Sequence, residues 1–258
     1  MRVHVVSDVH GAVDALAKAG DGADAVLCLG DLVLFVDYAD HGGGIFGAMF
    51  GAERAGRWVR LRDDGRLAEA GTFLRGLWSR LEGDAWGHVE RAVRGQYEEL
   101  FAAMPTPAYL TYGNVDVPRL WPDYLRAGHT LLDGEVTQIG GRTFGFVGGG
   151  LITPYRTPFE ISDEEYAAKV AAVFAAGRVD VLCCHIPPAV PELTYDVVAR
   201  RFERGSEAVL AAIHEYAPGL VLFGHVHQPL VRRMRLGRTE CVNVGHFRAT
   251  GAPYVLEW

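Results

Sequence analysis

Arg2-Val3-His4-Val5-Val6-Ser7-Asp8-Val9-His10 is an apolar run that ends on a carboxylate and an imidazole two residues apart. Four later runs repeat the arrangement. Residues 25–29 lead into Gly30-Asp31, and residues 108–112 lead into Gly113-Asn114-Val115-Asp116. Residues 179–184 lead into His185-Ile186-Pro187, and residues 220–223 lead into Gly224-His225-Val226-His227. Each run has the length and composition of a buried strand. In open α/β sheets, ligands bind outside the carboxyl ends of the strands. Five such ends carrying polar groups predict one shared site.

Around these runs the chain alternates strand and helix. A helix is expected from residue 12 to about 19, with Val13, Leu16 and Ala17 at helical spacing. With the strands on either side it makes a right-handed crossover unit. Residues 87–104 carry a stripe of Val89, Ala92, Val93, Tyr97, Leu100 and Phe101, stopped by Pro105 and Pro107. Residues 135–139 and 142–147, joined by Gly140-Gly141, read as a hairpin. Ser162-Asp163-Glu164-Glu165 is a capping box that starts a helix to about residue 176. A helix over about 206–216, a hairpin over 231–236 and 239–244, and a strand at 254–258 complete the chain.

The stretch 35–86 is different: only residues 67–81 read as a helix, after the glycine-rich His41-Gly42-Gly43-Gly44. With no repeat or linker in view, the expectation is one domain, 1–258, with an insertion at about 35–86. Such an insertion is a candidate lid or oligomer contact.

Composition sets outer bounds. At 258 residues and 49% hydrophobic, the chain can bury a sizeable core. A net charge of −7 argues against bulk binding to nucleic acid or a membrane surface, although Arg54, Arg57, Arg60 and Arg62 cluster locally. No apolar run has the roughly 18 residues a transmembrane helix needs. Cys28, Cys183, Cys184 and Cys241 sit in or beside strand-like runs and read as buried thiols of a reducing compartment. No signal-peptide pattern precedes the first strand, so a cytoplasmic protein is expected.

The polar groups themselves point to metal chemistry. Imidazole and carboxylate donors without thiolate suit Mn, Fe, Zn or similar first-row ions. Asp8 and His10, like His225 and His227, are two apart, so in extended backbone each pair can point to one side. Asp31 has two oxygens with which to bridge two ions, while Asn114 adds an amide oxygen and His185 an imidazole. Two ions about 3.5–4 Å apart clamp the attacking and leaving oxygens of a displacement at phosphorus.

Asp8-X-His10, Gly30-Asp31, Gly113-Asn114-X-Asp116, His185-X-Pro187 and Gly224-His225-X-His227 together resemble the signature of the calcineurin-like metallophosphoesterases. The resemblance covers most of the chain outside 35–86. It implies a four-layer α/β/β/α sandwich of two mixed β-sheets flanked by helices, and two divalent or mixed-valence metal ions. It also implies that Asp8, His10, Asp31 and His227 hold one ion, and Asp31, Asn114, His185 and His225 the other. Asn114 and His225 would serve the phosphate as well as the metal. The nucleophile would be a metal-bridging hydroxide.

One position departs from the pattern. Many members have histidine after the asparagine, where it contacts phosphate and protonates the leaving group; here it is Val115. Branches lacking that histidine are commonly phosphodiesterases, which makes a small-molecule phosphodiester the expected substrate. Candidates for the missing acid are His246, in Asn243-Val244-Gly245-His246, and His41. Asp116 reads either as a group orienting a ligating histidine or as a carboxylate stabilising its own turn. Arg248, Tyr155 and Tyr195 are candidate substrate contacts. His4, His88, His129 and His214 read as packing or solvated residues. The alternatives are a phosphomonoesterase acting on a nucleotide or phosphoprotein, and a non-catalytic, metal-stabilised binding module.

Overall fold

The computed structural model describes residues 1–154 and 157–258. The chain divides into two compact units: Met1–Leu32 with Leu100–Trp258, and Val33–Glu99.

The first unit is built on two sheets. Its strands are β1 (Arg2–Val6), β2 (Ala25–Cys28), β3 (Ala108–Leu110), β4 (His129–Leu131), β5 (Glu135–Ile139), β6 (Arg142–Val147), β7 (Gly150–Leu151) and β8 (Glu160–Ile161). Then come β9 (Val181–Cys184), β10 (Tyr195–Asp196), β11 (Arg201–Phe202), β12 (Leu220–Phe223), β13 (Arg233–Leu236), β14 (Thr239–Asn243) and β15 (Tyr254–Glu257). One sheet has the order β15-β1-β2-β3-β4, with β15 antiparallel to β1 and the others parallel. The other has the order β13-β14-β12-β9-β6-β5. Its four inner strands are parallel, and β13 and β5 are antiparallel edges.

The two-residue period of a strand explains how both sheets are covered. Val3, Val5, Leu27 and Leu29 of the first sheet share a core with Phe144, Phe146, Val181, Cys183, Leu222 and Val242 of the second. The intervening residues Leu182, Cys184, Val221 and Phe223 point the other way. They pack on the helices Asp163–Ala175 and Glu207–Tyr216 through Tyr166, Val170, Val173, Val209 and Ile213. Adjacent Cys183 and Cys184 therefore serve opposite cores, and all four cysteines are free and buried. On the outer face of β1, buried His4 donates from Nδ1 to the Ala19 carbonyl at 2.8 Å. The result is a four-layer α/β/β/α arrangement of two mixed sheets flanked by helices. No helix among the described residues is long and apolar enough to cross a membrane.

Local signals fare unevenly. The Ser162 capping box forms in full, with both reciprocal bonds. Ser206 caps the next helix through the Val209 N–H. The helix expected over 12–19 is confined to Val13–Leu16. Beyond it the chain tightens to i→i−3 bonds, Lys18 to Ala15 and Ala19 to Leu16.

Unit Val33–Glu99 is helical, with Gly44–Phe50, Ala52–Asp63, Leu67–Trp78 and the start of Ala85–Ala103. Phe46, Phe50, Ala55 and Leu77 form its own core with Phe35, Trp58, Phe73 and Trp78 around them. Glycines concealed the first two helices from the sequence reading, and their role is close approach. A Cβ on Gly47 would lie 2.5 Å from the His41 carbonyl oxygen, and one on Gly56 would lie 2.5 Å from His41 Cδ2. His41 is thus a packing element of this unit. The local arginines also pack: the Arg57 guanidinium lies 4.7 Å over the Phe73 ring, and that of Arg62 lies 4.7 Å over Trp58.

Candidate metal centre

Four of the six described non-glycine residues with positive φ are candidate site residues: Asp8 at 57°, His10 at 41°, Asp31 at 55° and His225 at 67°. Such conformations cost of order 1–3 kcal/mol each and persist only where surrounding bonds fix them. Here Asp8 N–H donates to the Gly30 carbonyl at 3.1 Å, His10 N–H to Asp31 at 2.9 Å and Gly11 N–H to Leu32 at 2.9 Å. The loops after β1 and β2 are laced together.

Glycine is required where these loops touch. A Cβ on Gly30 would lie 1.9 Å from the Gly113 nitrogen, and one on Gly224 would lie 2.0 Å from Ser7 Oγ and 2.3 Å from Asp8 Oδ2. Gly224 thereby lets the loop after β12 rest on the loop after β1. The His225 N–H then donates to Asp8 Oδ2 at 3.0 Å.

Asp31 lies at the middle of the group. Its Oδ2 is 3.4 Å from His185 Nε2 and 3.9 Å from His10 Nε2. Its Oδ1 accepts the Val115 N–H at 3.0 Å. On one side His185 Nε2 also lies 3.0 Å from Asn114 Oδ1, and its Nδ1–H donates to the Leu29 carbonyl at 2.9 Å. The His225 ring sits 5.2 Å from that of His185. On the other side Asp8 Oδ1 is 3.3 Å from His227 Nε2, which is 3.2 Å from His10 Nε2. The structure therefore brings Asp8, His10, Asp31, Asn114, His185, His225 and His227 together.

Electrostatics follow from burial and crowding. Burial alone would raise the Asp8 carboxyl, yet His227, His185 and His10 hold it well below the usual range. Asp31 is lowered in the same way, against burial, chiefly by His185. Burial disfavours a charged His185, but Asp31 and Asp8 overcome this and push it up to about 9. His227 is raised against burial by Asp8, whereas burial and then His185 lower His225.

Asp116 is a turn anchor. It is fully buried, and its carboxylate accepts the N–H groups of Asp31 at 2.8 Å, Gly113 at 2.8 Å and Leu32 at 3.0 Å. Burial, with Asp31 nearby, pushes it up to about 7. His246 stacks on His227, with ring centroids 3.9 Å apart and planes 15° from parallel. Arg248 donates to the His10 carbonyl at 2.7 Å, Tyr195 packs against Phe202, and Tyr155 lies outside the described residues.

Two supporting groups escaped the sequence reading. Asn243 donates to the Gly224 carbonyl at 3.2 Å and the Val226 carbonyl at 2.9 Å, and accepts the Gly245 N–H at 2.8 Å. Thr157 Oγ1 accepts from Asn114 Nδ2 at 3.0 Å and donates to Glu160 at 2.8 Å. With the amide nitrogen held there, Asn114 Oδ1 faces His185. Neither residue belongs to the five strand-end motifs, and only spatial proximity reveals what their side chains hold.

The donors fit a first-row divalent cation: imidazole nitrogens, carboxylate oxygens and one amide oxygen converge. Asp8 Oδ1 is buried with no hydrogen-bond donor among the described residues, while Asp8, His10 and Asp31 bring their donor atoms within 4.8 Å of one another. Cys28 is pushed up to about 12 by burial and stays a thiol.

A solved structure superposes with a TM-score of 0.63 at 14% identity, covering 95% of this chain and 91% of the other. GAP50, the anchor in the inner membrane complex of Plasmodium, has a TM-score of 0.40 at 11% identity, covering 95% and 71%. Sulfate thiohydrolase SoxB of Thermus thermophilus has a TM-score of 0.36 at 14% identity, covering 98% and 54%. No curated protein matches the sequence. The sequence model for calcineurin-like phosphoesterases matches residues 1–229, a span that contains every donor converging on Asp31. The chain belongs to the calcineurin-like phosphoesterase family, whose members are metal-dependent phosphoester hydrolases.

Proposed function

We propose that this protein is a phosphodiesterase acting on a small-molecule phosphodiester at a two-ion centre. Asp8, His10, Asp31 and His227 hold one ion, and Asp31, Asn114, His185 and His225 hold the other. The observation that carries the reading is the place of Asp31 Oδ2, 3.4 Å from His185 Nε2 and 3.9 Å from His10 Nε2. One carboxylate thus serves both groups of donors. Bound there, divalent cations make hydroxide available near neutral pH and offset charge on the phosphoryl oxygens.

The protein's own residues set the rest. Asn114 and His225 face the phosphoryl group as well as the ions, and Asp116 fixes the turn that presents Asp31. Val115 has no proton to give, so a leaving group that departs as an anion is favoured. The absence of histidine at this position, as in family branches that cleave diesters, supports a diester over a monoester. Mn or Fe suits the donor set. The four free, buried cysteines support a reducing, cytoplasmic location.

The test is hydrolysis of a bis-aryl phosphodiester and the matching monoester by chelated protein, with and without added Mn²⁺. The expected result is metal-restored cleavage with the diester preferred. A monoester preference would reverse the substrate assignment. Inactivity on both by protein that has taken up metal would replace the enzyme by a binding module.

A further inference from the structure

His246 comes from none of the motifs that supply the other donors, yet it lies against two of them. The ligand atoms of His10, His227 and His246 all fall within 4.8 Å of one another. The His246 ring is stacked on His227 and stands edge-on to His10, 5.7 Å away at 80°. Its Nε2 is buried with no hydrogen-bond partner among the described residues. A buried polar atom without a partner is costly, and an imidazole beside a cluster of donors can gain one when a cation binds.

The backbone holds this imidazole in register with His225 and His227. Asn243 donates to the Gly224 and Val226 carbonyls of their loop and accepts the Gly245 N–H one residue before His246. One side chain therefore fixes both the loop after β12 and the turn after β14. The next two residues are tied to the loop after β1, Phe247 N–H to the Ser7 carbonyl at 3.0 Å and Arg248 N–H to Asp8 at 3.1 Å.

We propose that His246 is a third imidazole ligand for the ion held by Asp8, His10, Asp31 and His227, making that half of the centre nitrogen-rich. This rests on the two-ion reading above. A nitrogen-rich half prefers Co²⁺, Zn²⁺ or Fe²⁺ over Mg²⁺, because imidazole suits those ions and Mg²⁺ favours oxygen.

The test uses Co²⁺ titration of the chelated full-length protein, followed by its visible absorption and by competition with a chelator. The wild type, His246→Gln, His246→Ala and the exposed-helix control His214→Gln are compared, with metal-free melting temperature as the check on folding. The expected result is that His246→Gln and His246→Ala change the Co²⁺ spectrum and weaken one site by at least about tenfold. His214→Gln should match the wild type. Wild-type spectrum and affinity in both His246 variants would overturn the proposal. Slowed cleavage of poor leaving groups with unchanged Co²⁺ binding would also overturn it, by making His246 a proton donor. A wild type that takes up no Co²⁺ would overturn the two-ion reading itself, a distinguishable outcome.

Discussion

The carboxylate of Asp116 accepts the backbone N–H of Asp31 at 2.8 Å across 85 positions of sequence. Two further amides, those of Leu32 and Gly113, converge on the same group. The turn that presents Asp31 is therefore built by a second buried carboxylate.

Asp116→Asn keeps the shape but turns an NH₂ group toward N–H donors. The expected cost is about 1–3 kcal/mol of stability, the penalty for unsatisfied buried polar groups. Metal affinity should fall about 10–100-fold, as for other groups that orient ligands. Thermal melting and calorimetric metal titration read the two effects; an unchanged metal affinity would count against the anchoring role.

Thr157 should matter through the amide it holds. Thr157→Val removes the acceptor for Asn114 Nδ2, freeing the amide to rotate its oxygen away from His185. Metal affinity should drop about tenfold or more, and Thr157→Ser should restore it. Equal binding by the valine and serine variants would show that Asn114 is positioned by other contacts.

Metal uptake should tighten as pH rises. His185 is raised to about 9 beside Asp31 and Asp8, so without an ion it holds a proton at neutral pH. A ligating nitrogen must lose that proton, so binding releases it. Below the raised value, affinity should gain about tenfold per pH unit for each proton displaced, levelling off above it. Calorimetry in buffers of different ionisation enthalpy counts the protons, and pH-independent affinity would contradict this account.

Val115→His should help poor leaving groups most. General acid catalysis is worth roughly 10²–10⁴-fold, and its benefit falls on oxygens that leave badly as anions. Alkyl phosphoesters should therefore gain more in kcat than nitrophenyl esters. The Val115 N–H bond to Asp31 is a backbone contact and survives the change. Equal gains for both substrates would remove the missing acid as an explanation.

Strand-end polar groups were legible in order because each run is short, apolar and closed by glycine or a donor residue. Cys183 and Cys184 could be assigned to opposite faces from the strand period alone, and each serves a different core. The helices Gly44–Phe50 and Ala52–Asp63 were not legible. Gly47 and Gly56 lower helix propensity locally, and the close approach of His41 accounts for both.

The sequence by itself determined the family, the sheet-forming runs and the seven donor residues, since strand periodicity and short-range spacing are local properties. Tertiary structure alone decided between the two readings of Asp116, stacked His246 on His227, and brought Thr157 and the Asn243 side chain to the centre. His10 and His227 are 217 residues apart yet have ring nitrogens 3.2 Å from each other. Contacts of that kind depend on how two sheets pack and which glycines let their loops touch, and no local pattern of residues encodes them.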